Sequence, residues 1–222
     1  MNFFAHAYLA HERSADAAFV LGAMLPDLCA FSGGRLPEAP DSPLGDGVRF
    51  HHASDAAFHA ASEFAAFCSE LSAALQAEGV RRGPARGVAH VGGELLLDGW
   101  LARRRGVPAL YRSALADARA LLAGAPALAP LREGIAATCA RVLAAPLPEA
   151  YTDAEFVCAR VERALAPRAY LALAAHELPA VARALTEAAP LTERWAEPAL
   201  ASAAEGLAQT SARRPRPASA HA

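Results

Sequence analysis

Apolar residues recur every three or four positions from Phe3 to about residue 208, and no run of β-branched residues alternates with polar ones. The first pattern belongs to helices that bury one face; the missing second pattern removes the half-buried strand. Composition reinforces this, because alanine supplies about a quarter of the chain and is the best helix former. The expectation is an all-α, single-domain helical bundle over residues 1–208, with a disordered tail over 209–222. That tail carries Arg213-Arg214-Pro215-Arg216-Pro217 and little to bury.

Proline and glycine divide the pattern. A short apolar face starts at Phe3, and Ser14 or Asp16 can cap a second helix that Pro26 should disturb or end. Residues 31–48 are rich in Gly and Pro and read as a loop. A long helix is then expected from about Phe50 to Gln76 and another from about Ala85 to Arg104. Further helical segments are expected near 108–123, 127–145, 152–166, 168–187 and 191–208.

The chain contains no lysine, and all 21 basic residues are arginine. A Walker-type phosphate loop and Schiff-base chemistry both need a lysine amine, so neither operates here. A net charge of −2 argues against a dedicated nucleic-acid partner. No stretch is long and apolar enough for a membrane span, and the start of the chain lacks the cationic region of a signal peptide. Cys29, Cys68, Cys139 and Cys158 form no CxxC pair, which points to a reduced, cytoplasmic protein.

Six of the eight histidines lie in the first 90 residues. Two spacings carry chemistry: His51-His52-x-x-Asp55 and His90-x-x-x-Glu94-x-x-x-Asp98. Residues four apart on a helix share a face and lie about 6 Å apart along the axis. His51 with Asp55, and His90 with Glu94, can therefore converge on one divalent ion of Mn, Mg, Zn or Fe type. Carboxylates gathered on neighbouring helices repel unless a cation compensates them, and helical bundles build metal centres from facing side chains. Asp27 joins this set as a ligand. His6 is a ligand or a proton donor to a leaving oxygen, and Asp98 a ligand or a base that orients water. His11 and His59 read as peripheral, with His59, four residues past Asp55, as a support for it. His176 and His221 receive no role. Gly92-Gly93 allows either close helix packing or room beside Glu94. The arginines flanking the same helix, Arg81, Arg82, Arg86 and Arg103–Arg105, are either solvated helix ends or holders of a phosphate or an acidic partner.

The N-terminal half also resembles a known family. Met1-Asn2-Phe3-Phe4-Ala5-His6-x-x-Leu9-Ala10-His11, Leu21-Gly22-x-x-Leu25-x-Asp27, Gly47-Val48-x-x-His51-x-x-x-Asp55 and Glu94-x-x-x-Asp98-x-x-Leu101 are similar, in this order, to segments of the acyl carrier protein phosphodiesterases. The resemblance covers about residues 1–105. It implies an HD-domain-like helical fold, a divalent cation, and hydrolysis of the phosphodiester that joins 4′-phosphopantetheine to a carrier-protein serine. It also implies site roles for His6, Asp27, His51, Asp55 and Asp98. His52, Arg103 and Arg168 are expected to contact substrate, with Ala166-Pro167-Arg168 echoing a later arginine-containing stretch of the family. This chain departs from the pattern at Ala23, His52 and Gly99, and His90 is additional. His90-x-x-x-Glu94 and Pro26-Asp27 are also reminiscent of zinc-dependent phospholipase C proteins. The expected function is metal-dependent hydrolysis of a phosphoric ester, on an acyl carrier protein or a small phosphoester. The alternatives are a phospholipase C-like hydrolase and a non-catalytic helical metal-binding or interaction protein.

Overall fold

The computed structural model describes residues 1–39 and 41–212. Among these there is no strand; the elements are α1 (Phe3–Arg13), α2 (Ala17–Phe31), α3 (Pro43–His59), α4 (Ser62–Ala77), α5 (Arg82–Arg105), α6 (Ala109–Ala116), α7 (Ala118–Ala123), α8 (Arg132–Ala144), α9 (Ala154–Leu165), α10 (Leu178–Ala188) and α11 (Thr192–Ala212), with short 3-10 turns between several of them. One continuous apolar core joins them. No helix among the described residues is long and apolar enough to cross a membrane.

Local chemistry starts several helices where the sequence suggests. Asp16 caps α2 by accepting from the Ala18 amide at 2.8 Å. Ser42 caps α3 by accepting from the Gly45 amide, and Pro43 follows at the helix start, where a missing N–H costs nothing. The loop therefore ends at Ser42, and the Gly- and Pro-containing residues 43–48 belong to α3 rather than to the expected loop.

Tertiary packing overrides local preference elsewhere. Pro26 does not end α2, which continues to Phe31. An interior proline costs about 3 kcal/mol. Val20, Leu21, Met24, Leu25 and Leu28 are all buried from this helix, and each large apolar side chain contributes roughly 1.5–3 kcal/mol. Burial wins by a wide margin. The helix expected over Phe50–Gln76 is instead two, broken at Ala60–Ala61, where Ala61 is extended. No proline or glycine marks this break. The turn brings the Phe58 and Phe64 rings to 4.5 Å, so both helices share one core. The segment expected as helix over 168–187 is helical only from Leu178, apart from a 3-10 turn at Ala175–Glu177. At the other end, α11 reaches Ala212, four residues into the stretch assigned to the tail; residues 213–222 lie outside the described residues.

Two close approaches set the frame for the ligand-type residues. A Cβ on Gly22 would stand 2.0 Å from the Leu44 carbonyl oxygen, and one on Gly47 would stand 2.1 Å from that of Phe19. Only glycine lets the α2 and α3 backbones touch in this way. The contact holds Asp27, on α2, opposite His51 and Asp55, on α3. α5 runs about 36 Å through the molecule, packed against α4, α9 and α11, and carries His90 and Glu94 in its middle.

Candidate metal centre

Four helices bring ligand-type side chains to one place. The ligand atoms of His6, Asp27 and His51 lie within 4.8 Å of one another, and so do those of His59, His90 and Glu94. Asp55 connects the two groups: its Oδ1 is 3.5 Å from His6 Nε2 and 3.3 Å from His59 Nε2.

The orientation of the two buried imidazoles is set by what holds their other nitrogen. The Ser54 hydroxyl donates to the His51 carbonyl at 3.0 Å, so its oxygen accepts from His6 Nδ1–H, also at 3.0 Å. His51 Nδ1–H donates to the Ala23 carbonyl at 2.8 Å. Both rings thereby present Nε2 as a lone pair, the arrangement a metal-binding histidine needs. The His6 and His51 rings lie 3.8 Å apart. Burial pushes the pKa of both down, that of His51 to about 3, so both are neutral.

Two atoms here are out of solvent and have no hydrogen-bond partner: His6 Nε2 and Asp27 Oδ2. Buried polar atoms are rarely left so. Burial raises the Asp27 carboxyl to about 7, with Glu94 and Asp55 adding repulsion and the Met1 ammonium opposing it. In its ionised form this oxygen would be uncompensated, so the position could hold a cation.

The second group is charged differently. Burial would raise Glu94, but His59 and His90 outweigh it and hold Glu94 well below the usual range. His59 Nε2 is 3.3 Å from Glu94 Oε1, and His90 Nε2 is 3.2 Å from it. Asp55 and Glu94 lift His59 to about 9, so it keeps its proton near neutrality. The Met1 ammonium donates to Asp55 Oδ1 at 2.6 Å and stands 3.2 Å from Glu94 Oε1, and these two carboxylates raise its pKa against the effect of burial.

Of the residues expected at the site, His6, Asp27, His51, Asp55, His90 and Glu94 meet. Asp98 does not. It is fully buried, accepts from Asn2 Nδ2 at 2.6 Å and from the Ala5 amide at 2.9 Å, and is pushed to a high pKa by burial. It ties the start of α1 to α5, both its oxygens are engaged, and its ligand atoms do not converge with those of the cluster. His52 points outward on the next face of α3, its ring 5.2 Å from His51, and lines no cleft beside the cluster. Arg103 is nine residues past Glu94, half a turn round α5 and about 13 Å along it, which removes it from the site. Gly92 and Gly93 serve packing: Cβ atoms there would come within 2.8 Å of Leu185 and Phe67. A Cβ on Gly99 would stand 2.3 Å from the Tyr151 carbonyl oxygen, so no side chain has room at this position.

Sequence reasoning undervalued His59 and missed Ser54 and Asn2. The four-residue step from Asp55 to His59 signalled the first. Nothing local signalled the other two, whose partners are 48 and 96 residues away.

A cleft of about 700 Å³ opens against Met1, Asp27 and Glu94. Its far wall comes from α8, α9 and the segment that follows, and includes Arg141, Arg160, Arg163 and Arg168 among apolar Val142, Leu147 and Pro167. A second cleft of about 670 Å³ reaches His90 from the other side of Val91, with Arg82, Arg86 and Arg168 along it.

No protein-family model matches the chain, and neither a curated protein nor a solved structure does.

Proposed function

We propose that this protein is a metal-dependent phosphoric ester hydrolase. The observation that carries the reading is the pair of buried, unpartnered ligand atoms, His6 Nε2 and Asp27 Oδ2, beside a cleft walled by arginine. Two imidazoles with fixed lone pairs and one carboxylate fit a divalent ion of Zn, Fe or Mn type. His6, Asp27 and His51 would hold it, Asp55 lies between this group and the next, and His59, His90 and Glu94 form a second candidate group. A bound ion supplies a water of lowered pKa and offsets charge on phosphoryl oxygens.

The chain's own residues do the rest. Ser54 and the Ala23 carbonyl orient the two imidazoles. His59 lies between Asp55 and Glu94, which favour its protonated form; neutral, buried His6 is suited to ligation. Arg168 and its neighbours neutralise substrate charge, in keeping with the preference of guanidinium for phosphate.

The finer reading, on the resemblance of residues 1–105, is a phosphodiesterase acting on an acyl carrier protein in the cytoplasm. Its support is a run of arginines along α5, of which Arg82 and Arg86 border the cleft at His90. A second reading rests on a specific observation: the Met1 ammonium and His59 already neutralise Asp55 and Glu94, so the cluster can be a self-satisfied structural centre.

Metal analysis of protein purified without an affinity tag, followed by assay on bis-p-nitrophenyl phosphate, separates the readings. A bound divalent ion and cleavage lost on chelation support the hydrolase. An ion without cleavage leaves a non-catalytic metal protein, and no ion leaves the structural centre. Incubation with holo-carrier protein and mass measurement of the product then tests the finer substrate, which an unchanged holo mass removes.

A further inference from the structure

Arg49 pairs with Asp46, and Arg81, Arg105, Arg112, Arg119 and Arg183 each pair with a glutamate. Arg82, Arg86, Arg103, Arg104 and Arg132 are among those with no ion pair among the described residues, so what sets the next four apart is that they share one cleft. Arg141, Arg160, Arg163 and Arg168 have no carboxylate within 4.0 Å among the described residues, and all four line the cleft that ends at Asp27 and Glu94. The cleft holds no acidic residue besides those two, and both belong to the candidate metal centre.

The arrangement on α9 is directed. Val157, Val161 and Leu165 are buried, and α9 packs against α5 and α10. Arg160, Arg163, Ala164 and Pro167 follow at i, i+3, i+4 and i+7, which is one stripe, and that stripe lines the cleft. Like charges one turn apart repel, and the acids of the same helix, Glu155 and Glu162, line neither cleft. Arg141 comes from α8, where its guanidinium donates to the Thr138 hydroxyl at 2.8 Å. Arg168 is shared with the second cleft. Three separate parts of the chain thus direct guanidinium groups without a carboxylate partner into one space, with apolar Val142, Leu147 and Pro167 among them.

Guanidinium groups without carboxylate partners, converging on a concave wall, match an anion with several oxygens, because each can donate two parallel hydrogen bonds. Asp27 and Glu94 of the candidate metal centre line the other end of the same cleft, where a bound ion would engage the scissile phosphoryl group. The wall is therefore left for a different group. We propose that Arg160, Arg163 and Arg168, with Arg141 beside them, hold a second anionic group of the substrate, so that the ester taken here carries at least one further phosphate. This deepens the hydrolase reading and rests on it for the identity of the ligand as substrate. The apolar side chains between the two poles accommodate the carbon that separates the phosphates.

The test is titration calorimetry of inorganic pyrophosphate and orthophosphate into the full-length protein in excess EDTA, which removes metal and any hydrolysis from the measurement. Pyrophosphate should bind at one site, more tightly than orthophosphate. The Arg160→Gln/Arg163→Gln double variant should weaken it at least tenfold, and Arg119→Gln, at an ion pair outside the cleft, should leave it unchanged. Absence of saturable binding, or equal binding by wild type and double variant, overturns the proposal. Kinetics supply the second arm: a p-nitrophenyl phosphodiester with an added terminal phosphate should exceed its counterpart without one at least tenfold in kcat/KM, and the double variant should bring the ratio close to one. A ratio of one in the wild type also overturns it. Failure of the hydrolase reading looks different: no cleavage of either ester with any metal, while arginine-dependent pyrophosphate binding persists.

Discussion

Glu177 and Asp27 are both carboxylates drawn away from water, in opposite halves of the molecule, and the protein treats them in opposite ways. Glu177 is saturated. It accepts from the Arg81 amide at 2.8 Å, from Arg81 Nε at 3.0 Å, from a terminal Arg81 nitrogen at 2.8 Å and from the Ala174 amide at 2.8 Å. The Arg81 hydrogen bonds lead the effects that hold its pKa down to about 2. Asp27 has an oxygen with nothing to accept from, and burial raises it to about 7. Glu177 latches residues 174–177 to the start of α5, whereas Asp27 keeps one oxygen without a donor. A buried polar group that is fully satisfied stabilises one structure; one left unsatisfied costs free energy, and such a cost is retained where a ligand removes it.

The sharpest way to break this contrast is to neutralise each carboxylate. Asp27→Asn should lower metal-dependent hydrolysis about a thousandfold, since a metal centre contributes several kcal/mol of charge stabilisation. The same change should leave the metal-free fold as stable as wild type or raise its melting temperature above neutral pH, because it removes an unpaired buried charge. Steady-state rates and thermal melts of chelated protein check both halves. A variant that unfolds would place Asp27 with Glu177 as a structural residue.

Glu177→Ala should do the reverse. Loss of the charged acceptor for two backbone amides costs roughly 2 kcal/mol, seen as a lower denaturation midpoint, with kcat/KM unaltered. The pH dependence sharpens it. The carboxyl sits near 4.5 in the unfolded chain and about 2 in the folded one. Its stabilisation is complete above the unfolded value and disappears as pH falls through the folded value. The difference in stability between wild type and Glu177→Gln should therefore shrink between about pH 4.5 and about pH 2. A constant difference across that window would mean that the charge contributes nothing.

The smallest effect is expected at Ser54. Ser54→Ala removes the group that fixes the His6 tautomer and should weaken metal binding about tenfold, the low end for partners that orient a metal ligand. Competition with a chelating dye measures it. Substituting His176, which stands next to Glu177, should leave metal affinity at the wild-type value.

Much of the scaffold was legible without coordinates. The all-helical class followed from apolar periodicity, and the start of α2 from the capping chemistry of Asp16, because these depend on residues a few positions apart. The pairs His51/Asp55 and His90/Glu94 were readable for the same reason, as each lies within one turn. Asp98 shows the limit of this reasoning. It continues the four-residue series from His90 and Glu94, yet the helix drifts by about 40° at each four-residue step, and Asp98 ends inside the core on Asn2 and Ala5. Arg103 was drawn in by charge and nearness in sequence, and helical geometry turns it to the opposite side.

What the amino-acid order determined by itself was therefore local: which segments coil, where several begin, and which ligand-type residues share a helix face. The tertiary structure alone decided the rest. It broke a helix between Ala60 and Ala61 without a proline or glycine, carried α2 through Pro26, set Asp55 between His6 and His59, and turned α8 and α9 so that Arg141, Arg160 and Arg163 face Asp27 and Glu94. Local propensities differ by about 1 kcal/mol or less for most residues, whereas each buried large side chain is worth more than that. Where the two conflict, packing prevails, and packing depends on residues far apart in the chain.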